Sequence, residues 1–149
     1  MNTMTMPPEV FTTHSAEETI ALGRTLAKKL SPPKLVLLRG DLGAGKTTLV
    51  KGIAEAFGAA AADDVTSPTF TIIHEYRGPE AQLYHIDLYR IESERELENL
   101  ALDDLRVPGS VLLIEWGEKF PSLLREKDAE IVLEALGPEH RKIRVQMPV

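Results

Sequence analysis

The stretch Lys34-Leu35-Val36-Leu37-Leu38-Arg39-Gly40-Asp41-Leu42-Gly43-Ala44-Gly45-Lys46-Thr47-Thr48 decides the fold. From Gly40 to Thr47 it fits the pattern G-x-x-x-x-G-K-[ST] at every required position. Gly40, Gly43 and Gly45 admit backbone turns that a Cβ opposes, so that consecutive N–H groups can face a phosphate. Lys46 supplies an ammonium on a long stem for the β- and γ-phosphates, and the Thr47 hydroxyl suits Mg²⁺. The flanks agree. Leu35 to Leu38 is a short apolar run behind Pro32-Pro33, which reads as a buried strand. Leu49, Val50, Ile53, Ala54 and Phe57 recur at helical spacing, and Gly58 is placed to end that helix. Strand, glycine loop and helix in that order turn a helix dipole toward a bound anion.

Upstream, residues 1–8 show no periodicity and read as a loose tail. Val10 to Thr13 suits a short edge strand. Ser15 with Glu18 forms a capping box, predicting a helix to about Leu30. Downstream, the polar, proline-fixed segment Val65-Thr66-Ser67-Pro68-Thr69 precedes a predicted hairpin of Phe70–Tyr76 and Gln82–Leu88. A helix is predicted over Glu94–Leu105, with Leu97, Leu100, Ala101 and Leu105 on one face. Its acidic face (Glu92, Glu94, Glu96, Glu98, Asp103, Asp104) reads as solvated, with a docking face for a basic partner as the alternative. Val111 to Ile114 is a second buried strand, followed by a helix near Lys119–Arg125. Glu130–Leu136 and Lys142–Met147 pair around Gly137-Pro138. The expected fold is α/β, a P-loop NTPase-like three-layer sandwich with a mainly parallel sheet and added antiparallel hairpins. Its ligands belong at the carboxyl ends of the strands.

The chain has 149 residues, which suits a single domain. It has no cysteine, which excludes disulfides, thiolate metal sites and a cysteine nucleophile, and suits the cytoplasm. No apolar run approaches membrane-spanning length, and the first ten residues lack an export pattern. The formal net charge of −6 argues against a direct grip on nucleic acid, which calls for a basic patch.

A triphosphate site also needs carboxylates for Mg²⁺. Asp87 closes the strand Leu83-Tyr84-His85-Ile86, and Glu115 closes Val111–Ile114, as the acid of a Walker B strand does. The alternatives are a turn cap for Asp87 and a surface carboxylate for Glu115. Ser67 and Thr69 flank a proline in a loop suited to sensing the γ-phosphate, or equally to a rigid turn. Trp116, the only tryptophan, suits the site edge or an ordinary half-buried position. His14, His74, His85 and His140 have no metal-ligand spacing and read as structural. For the base, Thr13, Ser15 and Phe11 before the first helix and Arg141 in the last hairpin are candidates.

Together, Gly40 to Thr48, Ser67-Pro68-Thr69-Phe70, Tyr84-His85-Ile86-Asp87-Leu88-Tyr89-Arg90 and Ile114-Glu115-Trp116, in this order and spacing, resemble the TsaE (YjeE) family. The resemblance spans about Thr12 to Met147. It implies a small ATPase, binding ATP and Mg²⁺ and slow by itself. It implies a role beside a TsaD–TsaB pair that installs threonylcarbamoyl on a tRNA adenine. Turnover would reset that complex, and tRNA would be met only through it. By motif match, Gly40, Asp41, Leu42, Gly43, Ala44, Gly45, Lys46, Thr47 and Thr48 would cradle the nucleotide, and Trp116 would stand at the site edge. Thr47, Glu115 and Asp87 serve the metal, and Ser67-Pro68-Thr69 forms a switch-like loop. One departure is Gly117, where many members carry proline; it frees the turn after Trp116. Without the resemblance, a small-molecule kinase and a nucleotide sensor without turnover remain as rival readings. No arginine-rich lid segment favours the kinase.

Overall fold

The computed structural model describes residues 7–68, 72–79 and 81–147. The predicted strand start at Phe70, the site candidate Thr69 and most of the predicted tail lie outside them. Seven strands form one sheet: β1 (Glu9–Thr13), β2 (Lys34–Arg39), β3 (Ile73–Arg77), β4 (Gln82–Asp87), β5 (Ser110–Glu115), β6 (Ala129–Ala135) and β7 (Arg141–Gln146). Their order is β1-β7-β6-β2-β5-β4-β3. The four central strands, β6-β2-β5-β4, are mutually parallel. Antiparallel partners extend the sheet at both edges: β7 and β1 on one side, β3 on the other. The expected α/β sandwich is therefore the observed fold.

The apolar runs of β2 and β5 are buried on both faces because helices cover both. Helices α1 (Ala16–Ala27) and α2 (Lys46–Ala56) lie on one side, where Leu26, Leu49, Val50 and Ile53 meet Val36, Leu38 and Leu113. On the other side Leu35, Leu37, Leu112 and Ile114 pack with Leu97 of α3 (Glu94–Asn99) and Leu123 of α4 (Pro121–Glu126). Two glycines set the α1–α2 approach. A Cβ on Gly52 would lie 1.9 Å from the Ile20 carbonyl oxygen, and one on Gly23 2.3 Å from that of Leu49.

Three predicted helices differ from the observed ones. The first ends at Ala27, and Lys28 to Leu30 close it with tighter i→i−3 bonds that still bury Leu30. The helix predicted over Glu94–Leu105 breaks after Asn99. Ala101 takes a left-handed conformation (φ 52°), and Leu102–Leu105 forms a 3₁₀ turn. Leu97 and Leu102 stand about 140° apart on a continuous helix, and the break lets both turn inward to burial. The third helix starts at Pro121, a residue preorganised for a first helical position, after a separate 3₁₀ turn at Gly117–Lys119.

Candidate functional site

The parallel register brings three strand ends together. Asp87 stands opposite Glu115, and Glu115 opposite Leu38, one residue before Arg39 and the Gly40 loop. His85, Asp87 and Glu115 alternate with Ile86 and Ile114, so the pleat turns all three to the α1–α2 side. Here a cavity of about 660 Å³ opens. Its floor is Asp41, Leu42, Gly43, Gly45, Lys46, Thr47 and Thr48, and its walls are Ser67, Asp87, Tyr89, Glu115, Trp116 and Arg141.

The loop has the geometry its glycines anticipated. Gly40, Gly43 and Gly45 have φ of 155°, 82° and 100°. At Gly40 a Cβ would also meet the Leu133 carbonyl oxygen at 2.7 Å. The Ala44 N–H donates to the Asp41 carbonyl at 3.0 Å, and the Ala44 methyl is buried beneath the loop. Helix α2 then starts with Gly45 as its N-cap. No side chain caps it, and no acid stands in its first turn. The donors at this helix start are thus left to an incoming anion.

Lys46 is folded inward. Its Nζ donates to the Gly40 carbonyl at 2.5 Å, lies 3.3 Å from Glu115 Oε1 and sits 5.7 Å from the centre of the Trp116 ring. The second oxygen of Glu115, Oε2, lies 2.6 Å from His85 Nε2. Burial pushes the Glu115 carboxyl up. The hydrogen bond from His85 and the nearby Lys46 ammonium outweigh it, and hold the carboxyl below the usual carboxylate range. Asp87 is buried, and its Oδ1 accepts from the Tyr89 N–H at 2.8 Å. It is both a turn cap and a cavity wall. Lys119 clamps the same turn, its Nζ donating to the carbonyls of Leu88 and Tyr89 at 3.1 and 2.9 Å.

Among the described residues no three His, Cys, Asp or Glu side chains converge to hold a metal by themselves. Two acids and a threonine beside an anion cradle suit Mg²⁺, which keeps waters and leans on substrate phosphates. Thr13 and Ser15 are not among the lining residues. The Thr13 hydroxyl lies 2.7 Å from that of Thr19, and Ser15 Oγ accepts from the Glu18 N–H, so both serve the start of α1. Arg141 does reach the cavity. Its guanidinium donates to the Gly43 and Gly137 carbonyls at 3.1 and 2.8 Å, tying the last hairpin to the phosphate loop. Gly117 is not loose: it is buried, and a Cβ there would meet Leu37 Cδ2 at 2.6 Å.

Two residues escaped the sequence reading. His85, set aside as structural, is fully buried against Glu115. Its position two residues before Asp87 on one strand face was the available signal. Tyr89 stands with its ring 5.2 Å from that of Trp116, and only the folded turn makes them neighbours.

A glycine loop leaving a central parallel strand and opening a helix, with acids at the two adjacent strand ends, defines a class of three-layer α/β protein with an anion cradle at the sheet's carboxyl edge. The family model described as threonylcarbamoyl adenosine biosynthesis protein TsaE matches residues 13–143. The chain belongs to the TsaE family. It is 41% identical over 131 residues to the Bacillus subtilis tRNA threonylcarbamoyladenosine biosynthesis protein TsaE, covering 88% of this chain and 80% of that one. The Treponema pallidum protein of the same name is 37% identical, with 88% and 95% covered. The crystal structure of Bacillus subtilis YdiB superposes with a TM-score of 0.71 at 33% identity, covering 98% of this chain and 88% of that one. No helix among the described residues is long and apolar enough to cross a membrane.

Proposed function

We propose that the chain is a Mg²⁺-dependent ATPase that binds and slowly hydrolyses ATP as the accessory subunit of a TsaD–TsaB complex. That complex forms threonylcarbamoyladenosine in tRNA. The observation that carries the reading is the uncapped start of α2 beside Lys46, whose ammonium rests on Gly40 and Glu115 at the cavity floor. The loop amides and Lys46 bind the phosphates, and an incoming triphosphate draws Lys46 off Glu115. Thr47, Glu115 and Asp87 are the residues that would hold Mg²⁺. The ion would supply positive charge against the negative charge of the phosphates. Trp116 and Tyr89 wall the cavity as a paired aromatic edge, and Ser67 also lines it. A net charge of −6 leaves tRNA contact to the partners, in the cytoplasm.

The test is ATP hydrolysis by the purified chain, alone and with TsaD and TsaB. The expected result is slow turnover that rises with both partners. Phosphate transfer to a metabolite, indifferent to TsaD and TsaB, would instead mark a kinase. ATP binding whose turnover ignores Glu115 would mark a sensor.

A further inference from the structure

Lys46 and His85 hold the two oxygens of Glu115 in different ways. Lys46 is a flexible cation at the cavity floor, and it has a second destination once phosphates arrive. His85 has none. It lies at 0% exposure in the middle of β4, flanked by β3 and β5, and its ring is fixed by the strand that carries it. Its Nε2 meets Glu115 Oε2 at 2.6 Å, a charge-assisted distance. A carboxylate only accepts hydrogen bonds, so Nε2 carries the donated proton. The other ring nitrogen, Nδ1, is buried with no hydrogen-bond partner among the described residues. A buried polar atom left unmatched in this way is unfavourable, and a purely packing role is better served by an apolar side chain. The contact the imidazole makes is at its Nε2 end.

We propose that His85 is the positioning residue of Glu115: it keeps Oε2 while Lys46 exchanges Oε1 for the phosphates, so that Oε1 stays aimed into the cavity. The proposal rests on the nucleotide reading above and adds a fixed and an exchangeable partner to its metal-side acid. With Lys46 withdrawn and no His85, the Glu115 side chain is free to rotate, and the site binds ATP but aligns its metal poorly.

Two variants and one spectrum test this. His85→Leu keeps bulk and removes the donor; His85→Gln restores an N–H at similar reach. ATP affinity is read from the fluorescence of Trp116, the only tryptophan, and turnover is read with TsaD, TsaB and varied Mg²⁺. His85→Leu is expected to lower kcat about 10- to 100-fold and to raise the Mg²⁺ needed for half-maximal rate. ATP affinity should stay within about threefold of wild type, and His85→Gln should recover most of the rate. Equal losses in both variants, or affinity falling in step with kcat, would reduce His85 to a packing residue and overturn the proposal.

Nitrogen NMR of the wild-type imidazole decides the same point if His85→Leu does not fold. Nε2 should bear a hydrogen-bonded proton both in the empty chain and with Mg²⁺ and a non-hydrolysable ATP analogue. Loss of that proton in either state overturns the proposal. A wild-type chain that binds no ATP removes the nucleotide reading and this inference together. A wild-type chain that hydrolyses ATP no faster than His85→Leu removes this inference alone.

Discussion

At the carboxyl ends of β2, β4 and β5 the cavity holds about 660 Å³; at the amino ends of β2 and β5 a second one holds about 420 Å³. Both are lined by acids and bases. In the second, Lys34, Asp103, Arg106 and Asp128 surround Ser110. There Asp128, Arg106 and Ser110 already have partners in the chain. Asp128 Oδ2 accepts from the Leu35 N–H at 2.7 Å, Arg106 pairs with Glu126 at 3.0 Å, and Ser110 donates to the Val107 carbonyl at 2.7 Å. In the first, α2 starts without a capping side chain, and a nearly buried Lys46 rests on a carbonyl and a carboxylate. Charge in a cleft does not mark a site. Main-chain donors left for a ligand, beside a cation with somewhere else to go, do.

The comparison breaks most visibly at Lys46. Lys46→Ala removes charge-assisted hydrogen bonds of about 1.5–3 kcal/mol each, so ATP turnover should fall by about 100-fold or more. Unaltered nucleotide affinity and rate in a hydrolysis assay would count against the first cavity as the site. Next in size is Glu115→Gln, expected to slow turnover about 10- to 100-fold while Trp116 fluorescence still reports ATP binding.

The second cavity should behave in the opposite way. Asp128→Ala strips the buried Leu35 N–H of its acceptor, which costs about 1–3 kcal/mol, and lowers Tm by roughly 5 °C. Turnover per folded molecule should not change. A hydrolysis defect without a melting shift would move function to that end of the sheet.

The smallest effect is in pH. The Glu115 carboxyl sits below its ordinary value in the folded chain. Its stabilising contribution is thus complete above the usual carboxylate pKa and is lost as pH falls through the lower folded value. Melting curves of wild type and Glu115→Gln should converge as the medium is acidified past that range. A gap that widens on acidification would reverse the assigned direction.

The phosphate loop was legible because its requirements are local: positive φ at three glycines, an apolar strand before and a helical repeat after. The acids Asp87 and Glu115 were legible as strand ends. Helix lengths were less so. The break at Ala101 depends on where the core lies for Leu97 and Leu102, and periodicity does not carry that information. Thr13 and Ser15 illustrate the same limit. Hydroxyls near a helix start suit a cap and a ligand equally; here Ser15 caps α1, and the Thr13 hydroxyl meets that of Thr19. Arg141, a candidate for the base, lines the cavity with its guanidinium held on loop carbonyls, a contact that only the fold reveals.

By itself the sequence determined the strand–loop–helix unit, the alternation of layers and the resemblance to a family. These follow from neighbours within a few residues and from short motifs in order. Only the tertiary structure decided what faces the loop. His85 meets Glu115 across 30 residues of chain, and Arg141 meets Gly43 across 98. Such meetings are set by sheet order and register, and register is fixed by burying the apolar residues of the four central strands together.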